Sequence, residues 1–459
     1  MIVQTTAETG ARVQPAIPPV DEPAAAASEE EDALIENTVI VRGQRVERTE
    51  FETATSVAVF QESDLDSIPS VQNIDDLLKR LPNITDQGAS SSGLSVRGVI
   101  STGAAAGVDA FTSGSSARVV NVVDGYQVSF NEFLYGATSI YDIEQIEVFR
   151  GPQTTAQGAN AIGGAIFVFT NDPTFEFEAG GRAEVGNFET YQAAGFVSGP
   201  LIDGELAGRI AVDYRRNESF TDFPNDLPLN RDADLYEGYA VRAKLLWMPS
   251  ALPDFEAKLT YTDSYADRPV SENVTPQSFS SGELLKPETD FAGNVRGGGS
   301  RAGIVDLSYE ISDSLTVTNQ TSYADFRHRH YDGFVAPELN FLQASVDGTR
   351  WVTESLLIYA PPKGRFSGIA GVYYSDKQQD DLLNFRGAQT FDDESTSLGL
   401  FTQGTLSLTN RLDVTAGVRY QRDEQVRTGD FFGVEIDADL EFDAFLPKAE
   451  ISYSVSENT

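Results

Sequence analysis

A mostly β protein is predicted: a small α+β domain, then a long series of antiparallel strands that begin a β-barrel. Three features predict it. Beyond about residue 175 the chain repeatedly alternates apolar and polar residues. Two β-prone runs at 145–150 and 165–170 flank a region punctuated by Gly151-Pro152, Gly158 and Gly163-Gly164, where backbone must bend sharply or pack closely. A single helical pattern, SVQNIDDLLKRLPNI, places Ile74, Leu77, Leu78 and Leu81 on one face, with Ser70 as cap and Pro82 as stop.

Composition narrows the function classes. The 459 residues carry a net charge of −37, with 70 acidic against 33 basic side chains, which excludes a phosphate-neutralising nucleic-acid binder and suits a water-facing lumen. There is no cysteine, so disulfide stapling and thiolate metal sites are excluded. No apolar run approaches the roughly 18 residues of a spanning helix, so any span is a closed barrel, in which no strand edge leaves backbone groups unpaired in lipid. The opening MIVQTTAETG lacks a basic and then apolar leader pattern, and a removed signal or an incomplete start is expected.

Along the chain, residues 1–35 read as a disordered acidic linker rich in Pro, Ala and Glu, too polar to repay its ordering entropy. Thr38, Val39, Ile40 and Val41 then form a short β-prone island within a segment, 36–47, that leads into a compact domain at 48–173. In that domain Leu94 to Gly98 reads as strand and turn, centred on Arg97-Gly98. Residues 118–130 read as a hairpin, with Asp124-Gly125 supplying its positive-φ turn. The Gly, Ala and Ser-rich stretch from 101 to 118, containing Asp109 and Phe111, reads as a connecting loop or as a loop facing incoming ligand.

The segment IEQIEVFRGPQTTAQGANAIGGAIFVFT, with the LSVRG element and the VDG hairpin, closely resembles the end of the plug domain of TonB-dependent outer-membrane receptors, because residue identity and order match over nearly thirty positions. Phe167 stands where the family commonly has Asn, and Ala159 is a second departure. The resemblance implies a small α+β plug domain followed by an antiparallel transmembrane β-barrel. It implies that the tetrad 38–41, otherwise readable as the domain's first strand, is a TonB box that pairs as an added strand with a TonB-type periplasmic energy-coupling protein. It also implies that Arg97 and Arg150 pair with barrel carboxylates, the alternative being ion pairs within the plug.

From 174 to 459 the strand faces are explicit. Leu206, Gly208, Ile210, Val212 and Tyr214 share one side, and Arg209, Asp213 and Arg215 the other; Leu412, Val414, Ala416, Val418 and Tyr420 oppose Asp413, Thr415, Arg419 and Gln421. The first set of each suits lipid and the second water. Tyr214, Tyr261, Tyr309 and Tyr420 suit interfacial girdles, while residues 217–235 and 273–300 read as long extracellular loops. About twelve strands are expected, against about 22 in large plugged transporters. The expected barrel is therefore incomplete, the N-terminal part of a larger one.

Nothing in the sequence calls for an enzyme: there is no phosphate loop, nucleophile elbow or cysteine nucleophile. His328 and His330, the sole histidines, are read as ordinary surface or loop residues, since two ligands do not close a metal site. No cofactor and no metal centre are expected. The expected function is energy-coupled import of a scarce small-molecule ligand, such as a ferric siderophore, by a receptor held in outer-membrane lipid. The alternatives are a passive porin-like barrel and a receptor fragment without transport.

Overall fold

The structure, a computed structural model, describes residues 40–455 except 44, 46–47, 50–52, 54, 69–70, 72, 87–93, 102–116, 129–138, 154–160, 220–233, 270–290, 335–341 and 385–386. The 1–35 linker, Thr38, Val39, Ser70, Asp109, Phe111 and Gly158 lie outside the described residues.

The N-terminal domain is built from β1 (Ile40–Val41), β2 (Arg48–Thr49), β3 (Val57–Gln61), α1 (Glu62–Ser67), α2 (Ile74–Leu78), β4 (Ile84–Asp86), β5 (Leu94–Val96), β6 (Val99–Ile100), β7 (Val119–Val123), β8 (Tyr126–Gln127), β9 (Ile143–Arg150) and β10 (Gly164–Thr170). Its main sheet has the order β3-β9-β10-β7-β8, antiparallel except for the parallel pair β7 and β10. Alternation along β9 and β10 gives this sheet two dry faces. On one, Ile146, Val148, Ile166 and Val168 pack with Leu65 of α1 and with Ile74, Leu77 and Leu78 of α2. On the other, Phe149, Ala165 and Phe167 pack with Val41, Val57 and Val120.

The helix sits where its apolar spacing places it, but its cap differs: the Asn73 side chain accepts the Asp76 amide at 3.0 Å, so the helix starts after Asn73. Helix α1 was not anticipated; its local signal is Asp64, whose carboxylate accepts the Gln61 amide at 3.0 Å. Both predicted turns form. Asp124 and Gly125 have φ of 47° and 90°, and Arg97 and Gly98 have 49° and 81°, each pair joining two strands directly.

Among the described residues that follow, twelve antiparallel strands form one sheet, each paired with the next. They are β11 (Glu178–Gly186), β12 (Thr190–Ile202), β13 (Leu206–Glu218), β14 (Leu235–Trp247), β15 (Phe255–Pro269), β16 (Phe291–Ser312), β17 (Leu315–Phe334), β18 (Leu342–Tyr359), β19 (Phe366–Asn384), β20 (Ala388–Thr409), β21 (Leu412–Phe431) and β22 (Val434–Tyr453). The long connections 219–234 and 270–290 fall at one end, and tight turns such as 313–314 and 410–411 at the other, which marks the first end as extracellular.

Period two then sorts the side chains. Ile210, Val212 and Tyr214 are exposed while Arg209 and Arg215 are buried; Val418 is exposed while Arg419 and Gln421 are buried. The outward set carries a band bounded by aromatics: Trp247, Tyr309, Tyr359 and Phe366 near the tight turns, Tyr239, Tyr323 and Trp351 farther up. From Tyr359 to Trp351 the strand advances roughly 27 Å, or about 20 Å in height at a tilt near 40°, comparable with the apolar band of outer-membrane barrels. Above it the outward positions turn charged, with Asp325, Arg327 and Arg329 on β17 and Asp347 on β18.

Two sequence expectations need correction here. Residues 291–300 are strand, not loop: Gly297, Gly298 and Gly299 lie against the side chain of Asp267, the ring of His328 and the backbone of Ser264, leaving no room for a Cβ. His328 and His330 are neither surface nor loop residues; both are buried on the inward face of β17.

Candidate functional site

The inward face of the strands meets the N-terminal domain along a polar seam near the tight-turn end. Contacts reach from Arg182 on β11, which lies over the Tyr141 ring, to Phe401 on β20, which meets Arg45, so the sheet curls around the domain. On one flank Arg209 donates from Nε to both oxygens of Asp142 at 3.2 and 3.1 Å, with a further bond from Nη2, and both side chains are buried. The guanidinium also lies 4.1 Å from the centre of the Phe196 ring. Arg242 donates to the carbonyls of Asp142 and Tyr141 at 3.0 and 2.8 Å. Burial, with the Asp142 charge alongside, pushes the Tyr141 phenol up to about 12.

Lys244 donates to the Thr170 carbonyl and to Asp172, both at 2.8 Å, and Lys258 reaches the second oxygen of Asp172 at 2.8 Å. Burial alone would raise the Asp172 carboxyl, but the two ammonium groups outweigh it and hold it below the usual range. Asp124 accepts the amide and hydroxyl of Thr170 at 2.9 and 2.6 Å and lies 3.4 Å from Lys244. The Gln320 side chain presses on Gly125, where a Cβ would have no room. The predicted hairpin tip is therefore also a docking point.

On the other flank the polarity reverses. Arg45 donates from Nε and Nη2 to the two oxygens of Glu354 on β18, each at 2.5 Å. Its guanidinium sits 5.0 Å from the Phe401 ring centre, and Arg419 lies 5.1 Å from the same ring.

The segment that precedes Arg45 is held inside the domain. Ile40 and Val41 pair with Thr49 and Arg48, and Val41 is buried against Phe149, Ala165 and Phe167. The Glu147 carboxylate, fully buried, accepts the amides of Arg42 and Gly43 at 2.7 and 2.9 Å and the Gln145 side chain at 2.7 Å. Gln145 also donates to the Ile40 carbonyl at 2.7 Å, and Arg42 spans Glu144 with bonds of 3.0 and 2.6 Å. Burial raises the Glu147 carboxyl, opposed by these donors. All three are N–H groups aimed at its oxygens, which favours the ionised form against that burial.

Of the residues singled out in the sequence, Ile40, Val41, Asp124 and Gly125 lie on this seam or beside it. Gly151, Gly163 and Gly164 shape the turn between β9 and β10: the Gly151 amide donates to the Gly163 carbonyl at 3.1 Å, and Gly164 has φ of 150°. Pro152 follows in the same turn. Arg97 and Arg150 show no barrel partner among the described residues. Arg150 donates to the Pro82 carbonyl at 3.3 Å, and Arg97 lies in its own exposed turn, so among the described residues neither meets a barrel carboxylate. Most of the seam's charge runs the other way, from barrel cations to plug acids and carbonyls. Sequence reasoning missed Asp142, Glu147, Asp172, Lys244, Lys258 and Glu354. Glu147 left one trace, an acid set among the β-branched and aromatic residues of IEVF.

Comparisons with known proteins agree with this architecture. The family model of the TonB-dependent Receptor Plug Domain matches residues 49–165, and that of the TonB dependent receptor-like beta-barrel matches 247–459. The chain belongs to the TonB-dependent receptor family. Receptors of this family reside in the outer membrane, and so does this protein.

It is 30% identical over 195 residues to the vitamin B12 transporter BtuB of Vibrio vulnificus, covering 40% of this chain and 29% of that protein. It is 27% identical over 196 residues to the ferripyoverdine receptor of Pseudomonas aeruginosa, covering 40% of this chain and 21% of that one. The match thus spans less than a third of either relative. Among solved structures, the ferric yersiniabactin uptake receptor FyuA of Yersinia pestis superposes with a TM-score of 0.73 at 18% identity, covering 88% of this chain and 62% of that one. The plug is the N-terminal domain, and the twelve strands are barrel wall.

Proposed function

We propose that the protein is a receptor for energy-coupled import of a scarce ligand, of the ferric siderophore class, across the outer membrane. The observation that carries this reading is a folded plug fixed to the inner wall of the barrel by polar contacts, with Ile40 and Val41 leading directly into Arg45 at that seam. A seated plug closes a pore to passive flux, so passage requires it to be remodelled, and a polar seam gives way more readily to force and water than an apolar core. The names of the relatives, which include a ferripyoverdine receptor and a vitamin B12 transporter, support a ligand of the ferric siderophore or vitamin class.

On this reading Thr38 to Val41 pair with the periplasmic TonB-type protein as an added strand, and ligand on the extracellular face favours their release. Asp109 and Phe111 are proposed to face that ligand. The test is accumulation of 55Fe supplied as ferric pyoverdine, ferric yersiniabactin or a ferric catecholate, and of 57Co-cobalamin, by cells carrying the receptor. At least one probe should accumulate with the inner-membrane proton gradient intact and stop when a protonophore collapses it. Accumulation that ignores the protonophore would establish a passive barrel instead.

A further inference from the structure

The outer wall of the barrel carries a groove of about 440 Å³ beside the upper aromatic row. It crosses β14 to β19, with Tyr239 and Arg301 toward one side, Arg327 near its centre and Gln378 toward the other. At its floor is Gly299, buried and without a side chain, between its register partners Tyr265 and Arg327. Arg327 lies four residues beyond Tyr323 on β17, about 13 Å along the strand and about 10 Å in height at a tilt near 40°. The groove therefore stands at the level of lipid headgroups, on the face turned to the bilayer.

Much of its charge is already spent. Asp263 accepts from Arg301 at 3.0 Å and from the Tyr239 hydroxyl at 3.1 Å, and Asp347 pairs with Arg329 at 2.9 Å. Arg327 is exposed, and although Asp347 is its register partner, it forms no ion pair or hydrogen bond among the described residues. One uncommitted guanidinium thus stands among acceptors that include Asp325 and Gln378. A bare anion on Arg327 would meet the Asp325 charge beside it. A sugar bearing a phosphate satisfies both, since its hydroxyls donate to the carboxylate while its phosphate takes the arginine.

Below the groove, Gly303 follows Arg301 on the same face of β16, and a Cβ there would meet nothing within 4 Å. Its register partners Tyr261 and Tyr323 are exposed on either side, and Val305 and Leu307 continue the exposed face beneath it. Two aromatic rings thus flank an open furrow that runs from the polar groove into the apolar band.

We propose that groove and furrow together bind one molecule of a phosphorylated glycolipid of the outer leaflet, with its phosphate on Arg327, its sugar over Gly299 and an acyl chain in the furrow at Gly303. The polar and apolar parts are continuous, as an amphiphile requires. The adjoining bilayer presents such a ligand at high effective concentration, so a shallow groove suffices. This ligand is a neighbour of the barrel and not its cargo.

The probe is lipopolysaccharide, a phosphorylated glycolipid, titrated into the full receptor in detergent and followed by native mass spectrometry. The wild type should hold one molecule, and R327Q and G303L should each weaken its binding roughly tenfold. R327Q removes the phosphate partner, while G303L fills the furrow and touches no polar group. Neither change breaks a bond within the protein, so the thermal transition of the lipid-free receptor should not move. The control is R422Q, because Arg422 is an exposed arginine of the same wall that lies outside the groove, paired with Glu424 at 2.6 Å. It should bind the probe like the wild type, and phosphatidylglycerol, which offers a phosphate without the sugar, should compete poorly. Wild-type affinity in both R327Q and G303L, an equal loss in R422Q, or displacement of the probe by equimolar phosphatidylglycerol would overturn the site.

Discussion

A receptor carrying Ile40→Pro is expected to bind its ligand with unchanged affinity and to import none of it. Strand addition is carried by main-chain hydrogen bonds, and proline removes the amide donor at the centre of the tetrad while fixing φ. The cost inside the plug is small, because β1 is two residues long and the Ile40 carbonyl that Gln145 binds is retained. Uptake should fall to the level of cells lacking the receptor, while equilibrium binding of the same labelled chelate to intact cells stays within about twofold of wild type. Uptake at the wild-type rate would remove the coupling role from this tetrad.

Arg209→Ala is expected to loosen the plug in the barrel more than any other single change at the seam. Arg209 and Asp142 are both buried, and truncating one member of a buried, hydrogen-bonded pair leaves the other charged and without its partner, a cost of about 3–5 kcal/mol. Asn171 donates to Asp142 at 3.2 Å and Arg242 reaches only its carbonyl, so neither replaces the lost guanidinium. The check is protease sensitivity of the plug in membranes together with the thermal transition of the purified receptor. R209A should lower the transition and expose the plug to cleavage. R209A/D142A should recover part of the loss, because no buried carboxylate is stranded. If R209A melts and cleaves like wild type, this pair does not hold the plug.

Much of this architecture was legible because two local rules write it into the chain. Alternation along a strand is binary, so Ile210, Val212 and Tyr214 had to face away from Arg209 and Arg215 whatever surrounded them. Positive φ is nearly as restrictive, and Asp124-Gly125 and Arg97-Gly98 announced their turns. The seam had no such rule. Asp142 and Arg209 are 67 residues apart, Arg45 and Glu354 309, and no period links them. The two histidines were misplaced for a related reason: HRH looks polar wherever it stands, and only the curvature of the sheet decides that its histidines turn inward.

The account rests on one face of the strands being turned to lipid and the other to the plug, and β18 offers the most direct measurement. In the membrane-embedded receptor, single nitroxide labels placed in turn from 351 to 358 should show collision rates with dissolved oxygen that alternate. Positions 351, 353, 355 and 357 should be high, with 352, 354, 356 and 358 low, and a water-soluble nickel chelate should reach none of the first set. Labels that respond to the nickel chelate at both parities, or that show no period of two with oxygen, would contradict a barrel wall with one face to lipid and the other to the plug.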